Sequence, residues 1–192
     1  MTEIFMVGNG GHAIACIDVI ESEGKYQIKG IISKEKSELK NDIPYEIIGN
    51  DNDLGKLIFI CKNAFIAIGQ IKNSKIRSNL YKKLKKIGYN LPKIISPHSY
   101  ISKSSSIGEG SIIMHGAIIN AGAKIGNNCI INSKALIEHD AKIESNCHVS
   151  TGAIVNGGTI VKANTFIGSG SVLHQSTIIQ KNSIIPAGST VK

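Results

Sequence analysis

Glu138-His139-Asp140 is the one place in the chain where a histidine stands between two carboxylates. Imidazole titrates near neutral pH, and an adjacent carboxylate fixes its tautomer and stabilises the imidazolium formed on proton capture. The triplet is therefore a candidate general base, where an isolated surface histidine would read as idle. No Ser or Cys with nucleophile character sits beside it, so a covalent acyl-enzyme is not expected. A second candidate lies near the start, in Gly8-Asn9-Gly10-Gly11-His12-Ala13. Glycines before a helix let a backbone approach a phosphate, and the helix N-terminus attracts the anion. A tight strand-to-helix turn is the bland alternative for the same residues.

The elements that position the triplet follow from a repeat. From Ile101, every sixth residue through Val191 is Ile, Val or Leu. From Ser105, every sixth residue through Ser189 is Ser, Ala, Cys or Thr. No insertion breaks either series, which predicts a solenoid of hexads, three to a triangular coil of 18 residues. Coils would stack at about 4.8 Å, with the aliphatic side chains in interior ladders. Gly108, Gly110, Gly126, Asn127, Asn128, Asn146, Gly168 and Gly170 are expected to form the corners. Adding 18 to 139 places Gly157 directly over His139, where its N–H would face an oxyanion. Asn132 and His148 fall on nearby coils. Cys129 and Cys147, 18 residues apart in the small series, are expected to stack as core residues.

The first hundred residues read differently. Thr2–Val7 is an apolar strand, and His12 to Glu23 has Ile14, Ile17 and Ile20 at helical spacing. Strands are expected at Gln27–Ile32, Phe65–Ile68 and Lys93–Ile95, with a helix over Lys75–Ile87. This alternation predicts a small parallel α/β sheet of Rossmann type. Residues 1–98 thus form one expected domain and 99–192 the other. No acidic residue ends the second strand, where Ile32-Ser33-Lys34 stands, which argues against NAD.

Composition narrows the function classes. There are 22 Lys and Arg against 14 Asp and Glu, a net charge of +8. The excess is spread over both halves, and Lys82-Lys83-Leu84-Lys85-Lys86 reads as a solvated helix face rather than a nucleic-acid site. A basic surface still favours anionic ligands such as nucleotides. No apolar run approaches the roughly 20 residues that span a bilayer, and no signal peptide is evident. Four cysteines without paired spacing suggest neither a zinc knuckle nor a disulfide framework. The expectation is a cytoplasmic protein with no membrane or nucleic-acid partner and no metal.

The early glycine loop, Phe65-Ile66-Ala67-Ile68-Gly69, Ile137-Glu138-His139-Asp140 and His148-Val149-Ser150-x-Gly152-Ala153 together resemble sugar acetyltransferases of the NeuD/PglD type. The resemblance spans essentially the whole chain. It implies a left-handed β-helix behind the Rossmann-like domain, a homotrimer, and acetyl-CoA as cosubstrate. It further implies that His139 is the general base, Asp140 its orienting carboxylate and Gly157 the oxyanion donor. By the same resemblance Asn132 and His148 neighbour the active site, and Gly8, Asn9, Gly10, Gly11, His12 and Gly69 bind the nucleotide sugar. Gly168 and Gly170 match the region where coenzyme A runs. Two features depart from the group: Ser33-Lys34-Glu35-Lys36 stands where an acidic pair is common, and a closing Gly-Val-Pro-Ala-Lys loop is not found before Lys192. The second departure implies a different or looser grip on the coenzyme.

The expected activity is N-acetylation of a UDP-4-amino-sugar, with O-acetylation of a sialic acid or related nonulosonate as the alternative. A non-catalytic sugar-nucleotide scaffold is the alternative of another class. A zinc lyase would need His115, His139 and His148 to converge, yet each has a different phase in its hexad.

Overall fold

The computed structural model describes residues 1–33 and 44–192, so Lys34, Glu35 and Lys36 lie outside the described residues. The chain divides into two compact units, residues 1–69 with 79–92, and residues 70–78 with 93–192.

In the first unit β1 (Thr2–Val7), β2 (Tyr26–Ile32), β3 (Ile47–Gly49) and β4 (Ala64–Ile66) form one parallel sheet in the order β3-β2-β1-β4. Helix α1 (Gly11–Glu23) connects β1 to β2, and the short α2 (Leu54–Leu57) lies between β3 and β4. The strand order reverses between β1 and β4. Ligands of open α/β sheets bind at such a switch point, beyond the strands' C-terminal ends. The loops there are Gly8–Gly10 and Ala67–Gly69. Helix α3 (Lys75–Ile87) follows β4, starting in the second unit and ending in the first.

The second unit is a parallel β-helix of two-residue strands, and its strand pairings join residues 18 apart. Face I runs from Ile94–Ile95 to Ile184–Ile185, face II from Tyr100–Ile101 to Thr190–Val191, and face III from Ser106–Ile107 to Ile178–Ile179. Ile94–Ile95 was expected to close the first sheet, but pairs with Ile112–Ile113 and opens the solenoid. Its aliphatic pair already obeys the hexad phase, and a strand of that pattern gains a ladder partner only there. The interior is one continuous cluster, with Ile113, Ile131, Ile137, Val155 and Ile167 fully buried. Burial of each such side chain contributes about 1.5–3 kcal/mol.

The small series has a second role. Ser111 Oγ donates to Gly126 O (2.8 Å), Thr159 Oγ1 to His174 O (2.8 Å), and Ser171 Oγ to Pro186 O (2.8 Å). The Cys129 and Cys147 thiols do likewise, to Glu144 O and Lys162 O, both at 3.2 Å. Each donor satisfies a corner carbonyl 15 residues ahead, a role that the alanines of the same series cannot fill.

Each corner from Gly110 to Gly188 places a residue in the left-handed region at intervals of six: Gly at seven corners, Asn at four, and Lys134, Asp140 and Ser176 at the rest. Gly108, Gly126, Asn127 and Gly168, expected at corners, are not among them. A Cβ on Gly168 would lie 2.4 Å from Ala187 N, and one on Gly126 2.6 Å from Ser145 N. These glycines exist because the next coil's backbone is too close for a side chain. Gly168→Ala should therefore destabilise the solenoid by about 1–3 kcal/mol, read as a lower urea midpoint. An unchanged midpoint would refute the crowding.

Candidate active site

His139 and Asp140 form the corner between faces II and III. Asp140 has φ 59°, a conformation that Asp tolerates better than most residues because its short side chain bonds locally. That backbone turns its carboxylate back toward the preceding ring, where Oδ2 lies 3.0 Å from His139 Nδ1. With Nδ1–H donating to Asp140, Nε2 is left as the proton acceptor. Glu138 Oε2 accepts from the His139 N–H at 3.2 Å. Both the imidazole and the Asp140 carboxylate are mostly exposed, so their pairing orients the ring more than it stabilises the fold.

Two glycines make room for this pair. A Cβ on Gly157 would lie 2.6 Å from His139 Nε2. The backbone of Gly157 lies outside the left-handed region, so its lack of a side chain serves the imidazole and not a turn. Among the described residues the Gly157 N–H has no hydrogen-bond acceptor, whereas its carbonyl accepts from Ser176 N at 2.9 Å. On the other side, Gly122 leaves space for Asp140, since a Cβ there would meet Oδ1 at 2.4 Å. Gly122 was missed from the sequence, although 140 − 18 = 122 follows the same arithmetic as Gly157.

A trough of about 310 Å³ opens over this corner, lined by Glu138, His139, Asn156, Gly157, Val172, His174 and Gln175. A basic nitrogen at one end and an unused N–H in the floor suit the removal of a proton beside a carbonyl that becomes an oxyanion. Asn156, His174 and Gln175 were not singled out from the sequence. Their signal was available, because Asn156 and His174 repeat the phase of Glu138, and Gln175 that of His139.

Asn132 and His148 are held elsewhere in the chain. His148 lies on face I, opposite the corner that carries His139, and is buried. Its Nδ1–H donates to Gln70 O at 2.5 Å, and Nε2 accepts from Asn132 Nδ2 at 3.3 Å. Phe166 packs edge-on against the ring. Within one chain the pair therefore anchors the 70–78 segment to the solenoid and does not reach His139. Gly168 is accounted for by the coil above it. Gly170, at φ 65° with nothing near its Cβ position, sits with it at the corner between faces I and II. Neither lines the trough. His115 is a third separate case, its Nδ1 hydrogen-bonded with Ser96 Oγ at 2.6 Å. Among the described residues no three of His, Cys, Asp and Glu are grouped to hold a metal ion.

The loop in the first unit has its own logic. Gly8 has φ 112°, and a Cβ there would strike Ile68 Cγ1 at 2.6 Å. Gly10 and Gly11 have open space at their Cβ positions, and Gly10 caps α1 with no side-chain acceptor. No acidic residue occupies the first turn of α1, which leaves the helix N-terminus electrostatically open to an anion. Gly69 faces His12, with Cβ positions 3.4 Å apart. Asn9 lies in the same loop.

Burial, reinforced by the charge of Arg77, pushes the His148 pKa down to about 4, against the pull of its bond to Gln70. The unfolded state then binds the extra proton first. Stability should fall by up to about 3 kcal/mol as pH drops from 6.5 towards 4, and be unaffected by this group above 6.5. Urea titrations across that range check this, and His148→Asn should flatten the decline.

Comparisons with known proteins agree with this architecture. The PglD N-terminal domain model matches residues 3–84, the bacterial transferase hexapeptide model residues 98–139, and the succinyl-transferase hexapeptide model residues 158–192. No curated protein sequence matches. A His-to-Asn mutant of perosamine N-acetyltransferase from Caulobacter crescentus, solved with CoA and GDP-perosamine, is 27% identical with a TM-score of 0.93, over 100% of this chain and 89% of that one. The acetyltransferase domain of PglB from Neisseria gonorrhoeae is 25% identical with a TM-score of 0.92, over 100% and 92%. Its acetyl coenzyme A complex is 25% identical with a TM-score of 0.89, over 98% and 92%. The solenoid is thus the left-handed parallel β-helix, and the chain joins a PglD-type N-terminal domain to hexapeptide repeats, the architecture of these acetyltransferases.

Proposed function

We propose that this enzyme transfers an acetyl group from acetyl-CoA to the amino group of a nucleotide-linked sugar. The observation that carries this reading is His139 Nε2 set close beside Gly157, whose N–H has no acceptor among the described residues, with Nδ1 held by Asp140. The neutral amine attacks the thioester carbonyl, and His139 takes its proton. The tetrahedral oxyanion accepts from the Gly157 N–H, a bond worth about 3–4 kcal/mol in comparable sites. Collapse expels the coenzyme A thiolate, which recovers the proton from the imidazolium. The name of the Caulobacter crescentus relative, perosamine N-acetyltransferase, favours an amine over a hydroxyl acceptor. The loop Gly8 to His12 with Gly69 is the expected seat of the nucleotide diphosphate.

A homotrimer is part of the same proposal. Face II presents an outward ladder of Tyr100 and Ile118, both exposed, with Leu136, Ile154 and Val172 half-covered, and association would bury it. In such an assembly the trough would lie in a cleft between subunits. Among the described residues no helix is long and apolar enough to cross a membrane, and all four cysteines are buried free thiols, which supports a cytoplasmic setting.

His139→Ala should lower kcat at least a hundredfold with the fold retained, in an acetyl-CoA assay against UDP-4-amino-sugars and free sialic acid. Near-normal turnover would sink the assignment, and turnover of sialic acid alone would shift the acceptor to a hydroxyl. Gly157→Ala should be comparably inactive, because its methyl group would occupy the space beside Nε2.

A further inference from the structure

The trough continues past the reacting centre. It begins at Glu138 and His139, has Gly157 in its floor, and ends at His174 and Gln175, with Val172 along one side. His174 shares the phase of Glu138, being 36 residues on, and so lies two coils away, or about 10 Å at about 4.8 Å per coil. Its ring is exposed and, among the described residues, forms no hydrogen bond. The Gln175 N–H beside it is likewise without an acceptor. Towards the other end of the solenoid, the equivalent residues Asn120 and Ala121 do not line the trough.

We propose that His174 is a binding residue for the acyl donor, its ring N–H donating to the first amide carbonyl of the pantetheine arm. The inference rests on the acetyl-CoA reading above. A thioester whose carbonyl oxygen meets the Gly157 N–H must send its sulfur substituent along the open part of the trough. That amide carbon is four bonds from the sulfur, roughly 5 Å in an extended chain. One coil beyond Gly157 covers about the same distance and arrives at His174 and Gln175. Val172 supplies an apolar wall for the two intervening methylenes. His174 is too far from His139 to share in the proton transfer, so its effect falls on donor binding and not on chemistry.

Two small donors isolate the contact. S-acetyl-N-acetylcysteamine carries an amide at the required position, and S-acetyl-pentanethiol has similar length without one. The wild-type enzyme should favour the amide donor in kcat/KM by about tenfold, the effect of one well-formed hydrogen bond. His174→Phe should erase that preference and raise the Kd for coenzyme A, measured by calorimetry, about tenfold. His174→Gln, which keeps an N–H donor, should restore part of both. Retention of the full preference and the wild-type Kd in His174→Phe would overturn the role of His174 while leaving acetyl transfer standing. Failure of the wild-type enzyme to use any acetyl thioester would overturn both.

Discussion

Coil-on-coil hydrogen bonding at a period of 18 residues is the constraint on which the rest of this structure depends. Each strand is only two residues long, so no strand is stable alone, and every one borrows its stability from the coils above and below. A slip of one residue would turn an interior Ile outward and a polar residue inward along an entire face. The aliphatic series, the small series and the left-handed corners enforce the same register independently. A solenoid so over-determined can carry exposed groups such as His139 and Asp140 at a corner without those groups having to hold it together.

That rigidity also explains how few residues the candidate site needs. Asp140 is at once a corner residue and the partner of His139, so the turn that closes the coil also orients the imidazole. Glycines at 122 and 157 are the complementary absence of side chains, one coil on either side. In the Rossmann-like unit the corresponding economy is the switch point between β1 and β4, where Gly8 allows close packing against Ile68 and the α1 N-terminus stays uncovered.

Much of this was legible in the sequence because stacking converts spatial adjacency into addition. Gly157 over His139 is the clearest instance, and Gly122 and His174 follow by the same sum. Where position depends on more than the period, the sequence says less. Gly168 matches a coenzyme-binding position by resemblance, yet its lack of a side chain is also required by Ala187 on the next coil, a contact that depends on corner geometry. His148 has suitable chemistry, but its phase puts it on face I, where it is tied to Gln70, and Asn132, at the corner that follows, bonds to its ring. The tie to Gln70 is a long-range contact with no local signature. Ile94–Ile95 was assigned to the wrong sheet because a two-residue strand carries no pattern of its own until its partner is known.

The central claim is that the His139 imidazole and the Gly157 N–H enclose the carbonyl that reacts. It is tested most directly by the Gly157 amide in a ¹H–¹⁵N spectrum, titrated with an unreactive ketone analogue of acetyl-CoA that keeps the carbonyl but replaces the sulfur linkage. The account predicts a marked downfield movement of the Gly157 amide proton as its N–H gains an acceptor, saturating with the analogue's Kd. Saturable binding with the Gly157 resonance unmoved would contradict it.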